Sequence, residues 1–350
     1  DKTSLQLKDL VGSSLSFVIA ETFKKTDRPY LLIFDNKEEA AYYLNDLEQL
    51  LGAKNVLFYP SSYRRPYQIE ETDNANVLLR SEVLNRINSR KKPAVIITYP
   101  TALFEKVVTK KELEKNTLKI TVGENLSLDF VNEILFEYKF KRVDFVTEPG
   151  DFSVRGGIID VFSFSNDEPY RIEIFGDEID RIRTFDVATP LSKEKLKKIA
   201  SIPNIENRTL KESRERFLKY ISDKTIFFSK NNDLLTGSLD LFFKKAEEAF
   251  DNLSEEIKHA KPVDLFCGGA FIKKRLLDFS LVNFGNEKNL EKFHIGNKKE
   301  VTFNTLPQPS FNKQFHLLIE NLNEYHKAGF TNYIFCANEQ QANRFHDIFE

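Results

Sequence analysis

Apolar residues recur along the first third of the chain in two alternating rhythms. Between residues 13 and 25 (SSLSFVIAETFKK) they repeat at helical spacing. YLLIF (30–34) is a short unbroken apolar run, the pattern of a strand buried on both faces. KEEAAYYLNDLEQLLG (37–52) has the pattern of an amphipathic helix and ends on Gly52, a helix-stopping residue. NVLFY (55–59) predicts a second strand, residues 60–72 a polar loop with Pro60 and Pro66, residues 73–89 a helix, and PAVIITYP (93–100) a third buried strand. Strands alternating with helices predict an open, mostly parallel α/β sheet.

The rhythm changes after residue 117. TLKITV (117–122) leads into a helix at 127–140 with Ser127 as its N-cap. Residues 142–191 read as β-rich, with turn signals at EPGD (148–151), SFSNDEP (163–169) and Gly176–Asp177. This is a small α+β unit. Residues 206–300 return to α/β, with a helix of mixed charge at 209–222, strand TIFF (225–228), helices to residue 258 and strand VDLFC (263–267). The last stretch, 301–350, opens a further small α/β unit with helix 312–328, strand YIFC (333–336) and helix 338–349. The expected segments are therefore 1–117, 118–205, 206–300 and 301–350.

Composition narrows the classes. Lys+Arg total 51 against 53 Asp+Glu, a net charge of −2, which argues against wholesale neutralisation of nucleic-acid phosphates and implies weak, salt-sensitive DNA contact at most. With 41% hydrophobic and 30% charged residues the chain is neither disordered nor membrane-embedded, and no apolar run approaches the ~18–20 residues that span a bilayer. The first ten residues hold no signal-peptide core. The two cysteines, Cys267 and Cys336, stand in apolar strand-like contexts and read as buried free thiols in a reducing, cytoplasmic setting. The five histidines are scattered, so no metal site is expected. Met is absent and the chain stops inside a helical pattern, so a piece of a longer protein is expected.

A phosphate loop needs two glycines and a Lys between strand and helix. The candidate position, LVGSSLSFVIAE (10–21), has Gly12 followed by Ser13, Ser14 and Ser16, with no second Gly and no Lys. A cap by Ser13 or Ser14 is the better reading, and no nucleotide or other cofactor is expected in this chain. Gly-Gly at 156–157 and 268–269 lacks a dinucleotide fingerprint, and no nucleophile motif or catalytic residue stands out. The pairs Glu70/Glu71 and Asp177/Glu178 read as solvated faces. YRRPY (63–67) interleaves Arg with Tyr, a combination that can stack on a nucleic-acid strand but that also suits an ordinary surface loop.

The informative stretch is 148–187. In YRIEIF, strand alternation puts Tyr170, Ile172 and Ile174 on a core face, and Arg171, Glu173 and Phe175 on the other. A large aromatic on a polar face needs an explanation. Arg155 precedes Gly156-Gly157, a signal for a bulge or close backbone approach, and the following IIDVF is expected to pair with 170–175. Two readings stay open. Arg155, Arg171 and Phe175 form an interface, or Phe175 packs beneath a neighbouring domain and Arg155 bonds to a local carboxylate such as Asp160.

RGGIIDVF (155–162) followed by PYRIEIFGDEIDRIRTFD (169–186) strongly resembles the signature of the transcription–repair coupling factor family, Mfd, and more loosely that of the excision-repair protein UvrB. The resemblance implies an N-terminal, split, helicase-like α/β domain with a degenerate P-loop at Gly12, Ser13, Ser14 and Ser16, and a small inserted α+β domain that binds UvrA. It implies UvrA contacts at Arg155, Arg171 and Phe175, supported by Gly156, Gly157, Asp160 and Glu173. It places RNA polymerase and DNA contacts, with ATP and Mg, in parts of a longer parent. One exposed patch of the three contact residues is expected, so that Arg171→Ala or Phe175→Ala abolishes binding and leaves the thermal midpoint nearly unchanged. A UvrB-type DNA-damage-binding ATPase is the alternative.

Overall fold

The computed structural model describes residues 3–62, 67, 74–88, 92–111, 118–137, 140–163, 166, 168–201, 213–253, 260–285, 293, 297–307, 309–312, 314–334, 336 and 338–349. Residues 63–66 of the YRRPY loop, Glu70/Glu71, residues 209–212 and residues 254–258 lie outside that set.

The chain divides into compact units at 1–304 and 305–350. The first unit starts with β1 (Thr3–Lys8), α1 (Ser14–Lys24), β2 (Tyr30–Ile33), α2 (Lys37–Leu51), β3 (Val56–Tyr59), α3 (Asn74–Asn88), β4 (Val95–Thr98), α4 (Pro100–Phe104) and β5 (Lys106–Val108). There follow β6 (Leu118–Thr121), α5 (Leu128–Glu137), β7 (Lys141–Arg142), β8 (Asp151–Arg155), β9 (Ile158–Val161), β10 (Tyr170–Phe175), β11 (Glu178–Phe185), β12 (Ser192–Leu196) and β13 (Lys198–Ser201). It ends with β14 (Arg214–Arg216), β15 (Ile226–Ser229), α6 (Asn232–Asp251), α7 (Pro262–Leu265), α8 (Gly269–Leu276), β16 (Ser280–Asn283) and β17 (Asn297–Thr302). The second unit holds α9 (Phe315–Lys327) and α10 (Glu339–Phe349).

A seven-stranded parallel sheet, ordered β17-β1-β16-β15-β2-β4-β3, forms the body of the first unit. Its apolar runs are covered on both faces: Leu31, Leu32, Val95, Ile97, Phe227 and Leu281 are fully buried. Strand β15 pairs with β2 from Ile226↔Tyr30 to Ser229↔Ile33, so segments on either side of residues 118–201 build one sheet. A second sheet, ordered β12-β11-β10-β9-β8-β7, lies wholly within 141–196. Two antiparallel two-stranded ribbons stand between the two sheets in chain order: β5 with β14 and β6 with β13.

Several sequence expectations give way. Strand β1 has no apolar signature because two of its buried residues are polar, Ser4 and Gln6; Gln6 Nε2 donates to the Gly285 carbonyl. The helix expected at 209–222 is, in its described part, strand β14 and a 3-10 turn at Phe217–Lys219. Tertiary contacts override helical spacing there. Phe217 stacks on Tyr59 at 4.0 Å between centroids, and Tyr220 Oη donates to the Val108 carbonyl. VDLFC holds a single helical turn, α7, because Pro262 at its first position presets the backbone, while Phe266 stacks on Phe104 at 4.5 Å. Residues 331–334 of the second unit are irregular, Tyr333 is 79% exposed, and Cys336 is half-buried rather than buried. Without a neighbouring strand among the described residues of this unit, an apolar run such as YIFC has no ladder to join. Strand β17 carries the larger sheet past the boundary expected at 300.

A buried ion pair fastens α3 to the turns after β3 and α4. Arg80 Nη2 lies 3.3 Å from Glu105 Oε2, with side-chain exposures of 0% and 2%. Arg80 Nη1 also donates to the Pro60 and Ala102 carbonyls, and the guanidinium sits 4.4 Å from the Tyr59 ring centre. Glu105 accepts from Ser62 N and Oγ at 2.9 and 2.6 Å. Removing one partner strands a buried charge. Glu105→Gln is therefore expected to cost about 3–5 kcal/mol in urea unfolding; a loss below about 1 kcal/mol would contradict this account.

Candidate protein-binding site

The smaller sheet is antiparallel apart from the β7–β8 pair. Alternation sorts its residues as expected. Ile172 is fully buried among Phe152, Ile159 and Ile182, Tyr170 is buried, and Ile174 is half-buried. The opposite face carries Arg171 beside Asp160 and Arg183, and Glu173 beside Ile158 and Arg181. A bulge in β11 at Asp180 shifts the register between Glu173 and Ile174 but leaves β10 itself regular.

Both glycines after Arg155 are required by geometry. Gly156 has φ +61°, and a Cβ on Gly157 would lie 2.5 Å from the Ile174 carbonyl oxygen. That carbonyl belongs to β10, so the tight turn also sets how closely β10 passes. The strand following the turn pairs with β10 as the sequence suggests.

Asp160 organises the polar face. Only 2% exposed, it accepts from Arg171 Nε and Nη2 at 2.6 and 2.8 Å, a bidentate pair, and from Arg155 Nη2 as well. The Arg171 guanidinium also covers the Phe185 ring at 4.4 Å. Its bond to Asp160 holds its pKa above the usual value. Glu173 is paired with Arg183. The side chain of Arg171 is 15% exposed and that of Arg155 43%. The single exposed patch expected of three residues is thus corrected: Arg171 is mostly covered by its own partners.

Phe175, in contrast, is 86% exposed. It ends β10 just before the turn at Gly176, φ +66°. The hairpin tip is fixed by backbone bonds to residues 123–126: Gly123 N to Ile179 O, Ile179 N to Glu124 O, and Leu126 N to Asp177 O. The ring is therefore exposed on a rigid support, which disfavours the reading that it packs beneath a neighbour. Arg155 does bond to Asp160, so that half of the packing alternative is realised.

Sequence reading missed Phe145. It is 70% exposed, and the Arg155 guanidinium lies 5.3 Å from its ring centre. The sequence reads this segment only as part of the β-rich stretch 142–191, in which Phe145 follows Asp144 without a distinguishing pattern.

The loop at Gly12 takes a different form from a simple cap. It follows β1 and precedes α1, and Gly12 has φ +56°. Ser13 occupies the N-cap position but does not cap. Its hydroxyl bonds Tyr42 Oη at 2.6 Å, and Ser14 Oγ is buried without a partner among the described residues. The Ser14 amide donates to Val11 O, and Ser16 Oγ donates to Asp46. Tyr43 Oη donates to the Gly12 carbonyl; burial, with Glu39 nearby, pushes this phenol up to about 12. Lys230, at the end of β15, is already matched by Asp35 and Glu39 at 3.3 and 2.8 Å. Among the described residues no group of three or more His, Cys, Asp or Glu could hold a metal ion, and no helix is long and apolar enough to cross a membrane.

Residues 118–206 match the family described as the UvrB interaction domain. The chain is 32% identical over 216 residues to the transcription-repair-coupling factor of Bacillus subtilis, covering 61% of this chain and 18% of that protein. It is 34% identical over 187 residues to the Staphylococcus aureus (strain bovine RF122 / ET3-1) transcription-repair-coupling factor, covering 52% and 15%. It is also 27% identical over 240 residues to the UvrABC system protein B of Thermosipho africanus, covering 64% and 36%. The chain thus spans well under half the length of these relatives. Residues 118–206 thus match the UvrB interaction domain, in a chain similar to part of transcription-repair-coupling factors and of UvrABC system protein B.

The geometry separates two substitutions. Phe175→Ala should change unfolding free energy by less than about 0.5 kcal/mol, as at an exposed site. Arg171→Ala removes the bidentate partner of buried Asp160 and should cost about 1–3 kcal/mol. Equal thermal midpoints for both variants would refute the scaffold role given to Arg171.

Proposed function

We propose that this chain is a non-catalytic, protein-binding module of a transcription–repair coupling factor. Its small sheet recruits UvrA to DNA lesions where RNA polymerase has stalled. In this reading a longer parent is an ATP-dependent DNA translocase that displaces the stalled polymerase, and ATP, Mg, polymerase and most DNA contacts belong to its other parts. The module acts in the cytoplasm. The observation that carries the reading is Phe175, exposed on a pinned hairpin on the same sheet face as a partly exposed Arg155, inside the segment that matches the UvrB interaction domain.

Arg and aromatic residues dominate binding hot spots because a fork of donors and a flat apolar ring lose little entropy when covered. Purified UvrA should bind the chain directly. Phe175→Ala should weaken that binding about thirtyfold or more, the effect of a ~2 kcal/mol hot spot. Wild-type affinity in a correctly folded Phe175→Ala variant would remove the recruitment reading.

A second reading, a UvrB-type damage-binding ATPase of the excinuclease, is favoured by the match to UvrABC system protein B over 64% of the chain. The loop at Gly12 weighs against it. The Ser14 amide is already bonded to Val11 O, Ser13 and Ser16 bond to side chains of α2, and the loop has no Lys. No specific Mg-ATP binding is expected in calorimetric titration; micromolar affinity would restore the UvrB-type reading.

A further inference from the structure

We infer that Phe145 is a contact residue of the docking surface, and that the partner meets it with a carboxylate seated beside Arg155 and flanked by apolar recesses for Phe145 and Phe175. This inference rests on the recruitment reading above.

The first argument is electrostatic. Asp160 faces two guanidiniums with one negative charge, so the cluster of Arg155, Asp160 and Arg171 keeps one positive charge unmatched. Arg171 engages both carboxylate oxygens and is covered. Glu173, the next acid on this face, is taken by Arg183. The surplus charge therefore sits at Arg155, the more exposed of the two arginines. A carboxylate on the partner would complete the cluster with charge-assisted hydrogen bonds.

The second argument is the placement of Phe145. Its neighbours in the chain are fixed. Val143 N donates to Phe152 O, and Ser153 Oγ donates to the Asp144 carbonyl. Val146 packs in a small cluster with Phe162 and Phe185. Thr147 and Glu148 donate to the buried Asp151 carboxylate. A ring on such a segment is held out by the backbone, not left out by slack. It lies against Arg155, where the cluster's surplus charge sits, and that cation–π contact strengthens when a partner excludes water. Arg155 ends β8 and Phe175 ends β10, two strands away, or roughly 10 Å across the sheet. Phe145, Arg155 and Phe175 thus fit within one ordinary protein interface.

The test uses the full chain and purified UvrA, with binding and thermal unfolding measured on the same samples. The variants are Phe145→Ala, Phe145→Leu, Arg155→Ala, the double variant Phe145→Ala/Arg155→Ala, and Phe175→Ala. Phe145→Ala should weaken binding at least about tenfold without moving the unfolding midpoint. Phe145→Leu should fall between, keeping apolar area but losing the ring. The double variant should lose less than the product of the single effects, because the two side chains act on one site. Wild-type affinity in Phe145→Ala, with Phe175→Ala defective, overturns this inference and leaves the recruitment reading standing. Independent effects in the double variant overturn the shared carboxylate site. Failure of wild-type chain to bind UvrA overturns both.

Discussion

Seven parallel strands close into one sheet only when β15, which follows the small sheet in the chain, takes its place between β2 and β16. Neither half of the larger sheet can bury its apolar runs alone: the β2 residues Leu31 and Leu32 need Phe227 and Phe228 of β15 beside them. This pairing forces the intervening residues to leave and return at one place. The chain meets the constraint with backbone ladders. Arg214–Arg216 pair with Lys106–Val108, and Lys198–Ser201 pair with Leu118–Thr121. Joining two chain ends through hydrogen-bonded strands removes the freedom that a loose linker would keep. Two paired ribbons thus mark where the chain leaves the larger sheet and where it returns to it.

Much of this was legible in sequence where a single periodicity decided the outcome. The unbroken runs YLLIF, NVLFY and PAVIITYP became strands of the buried sheet, and alternation in YRIEIF assigned both faces of β10 correctly. Arg155-Gly156-Gly157 announced a close approach, and Gly157 indeed sits against the Ile174 carbonyl. What escaped depended on residues distant in the chain. Strand β1 hides its burial behind Ser4 and Gln6, whose neighbours come from the end of the unit. The covering of Arg171 could not be read from alternation, because Asp160 and Phe185 supply it from adjacent strands. Phe145 gave no periodic signal, since its exposure follows from the hydrogen bonds that fix the residues around it.

The two ends of the design differ in how their polar groups are used. Beyond the C-terminal ends of β1, β2 and β15, interior strands of the larger sheet, they are consumed internally: Ser13 with Tyr42, Ser16 with Asp46, and Lys230 with Asp35 and Glu39. These bonds tie α1 and β15 to α2 and the turn before it. On the small sheet the balance is left open by one charge. Asp160 satisfies Arg171 with both oxygens and Arg155 with one, so the inner arginine locks the strands while the outer one keeps donors facing solvent. A buried carboxylate shared in this way does two jobs at once. It fixes the position of Arg155 relative to Phe175 through β9 and β10, and it leaves Arg155 incompletely matched. On the recruitment reading proposed above, a surface that is aromatic and short of one negative charge would discriminate between partners by shape and sign together, because a partner lacking the carboxylate would cover Arg155 while the surplus charge it shares with Arg171 over Asp160 stays unmatched.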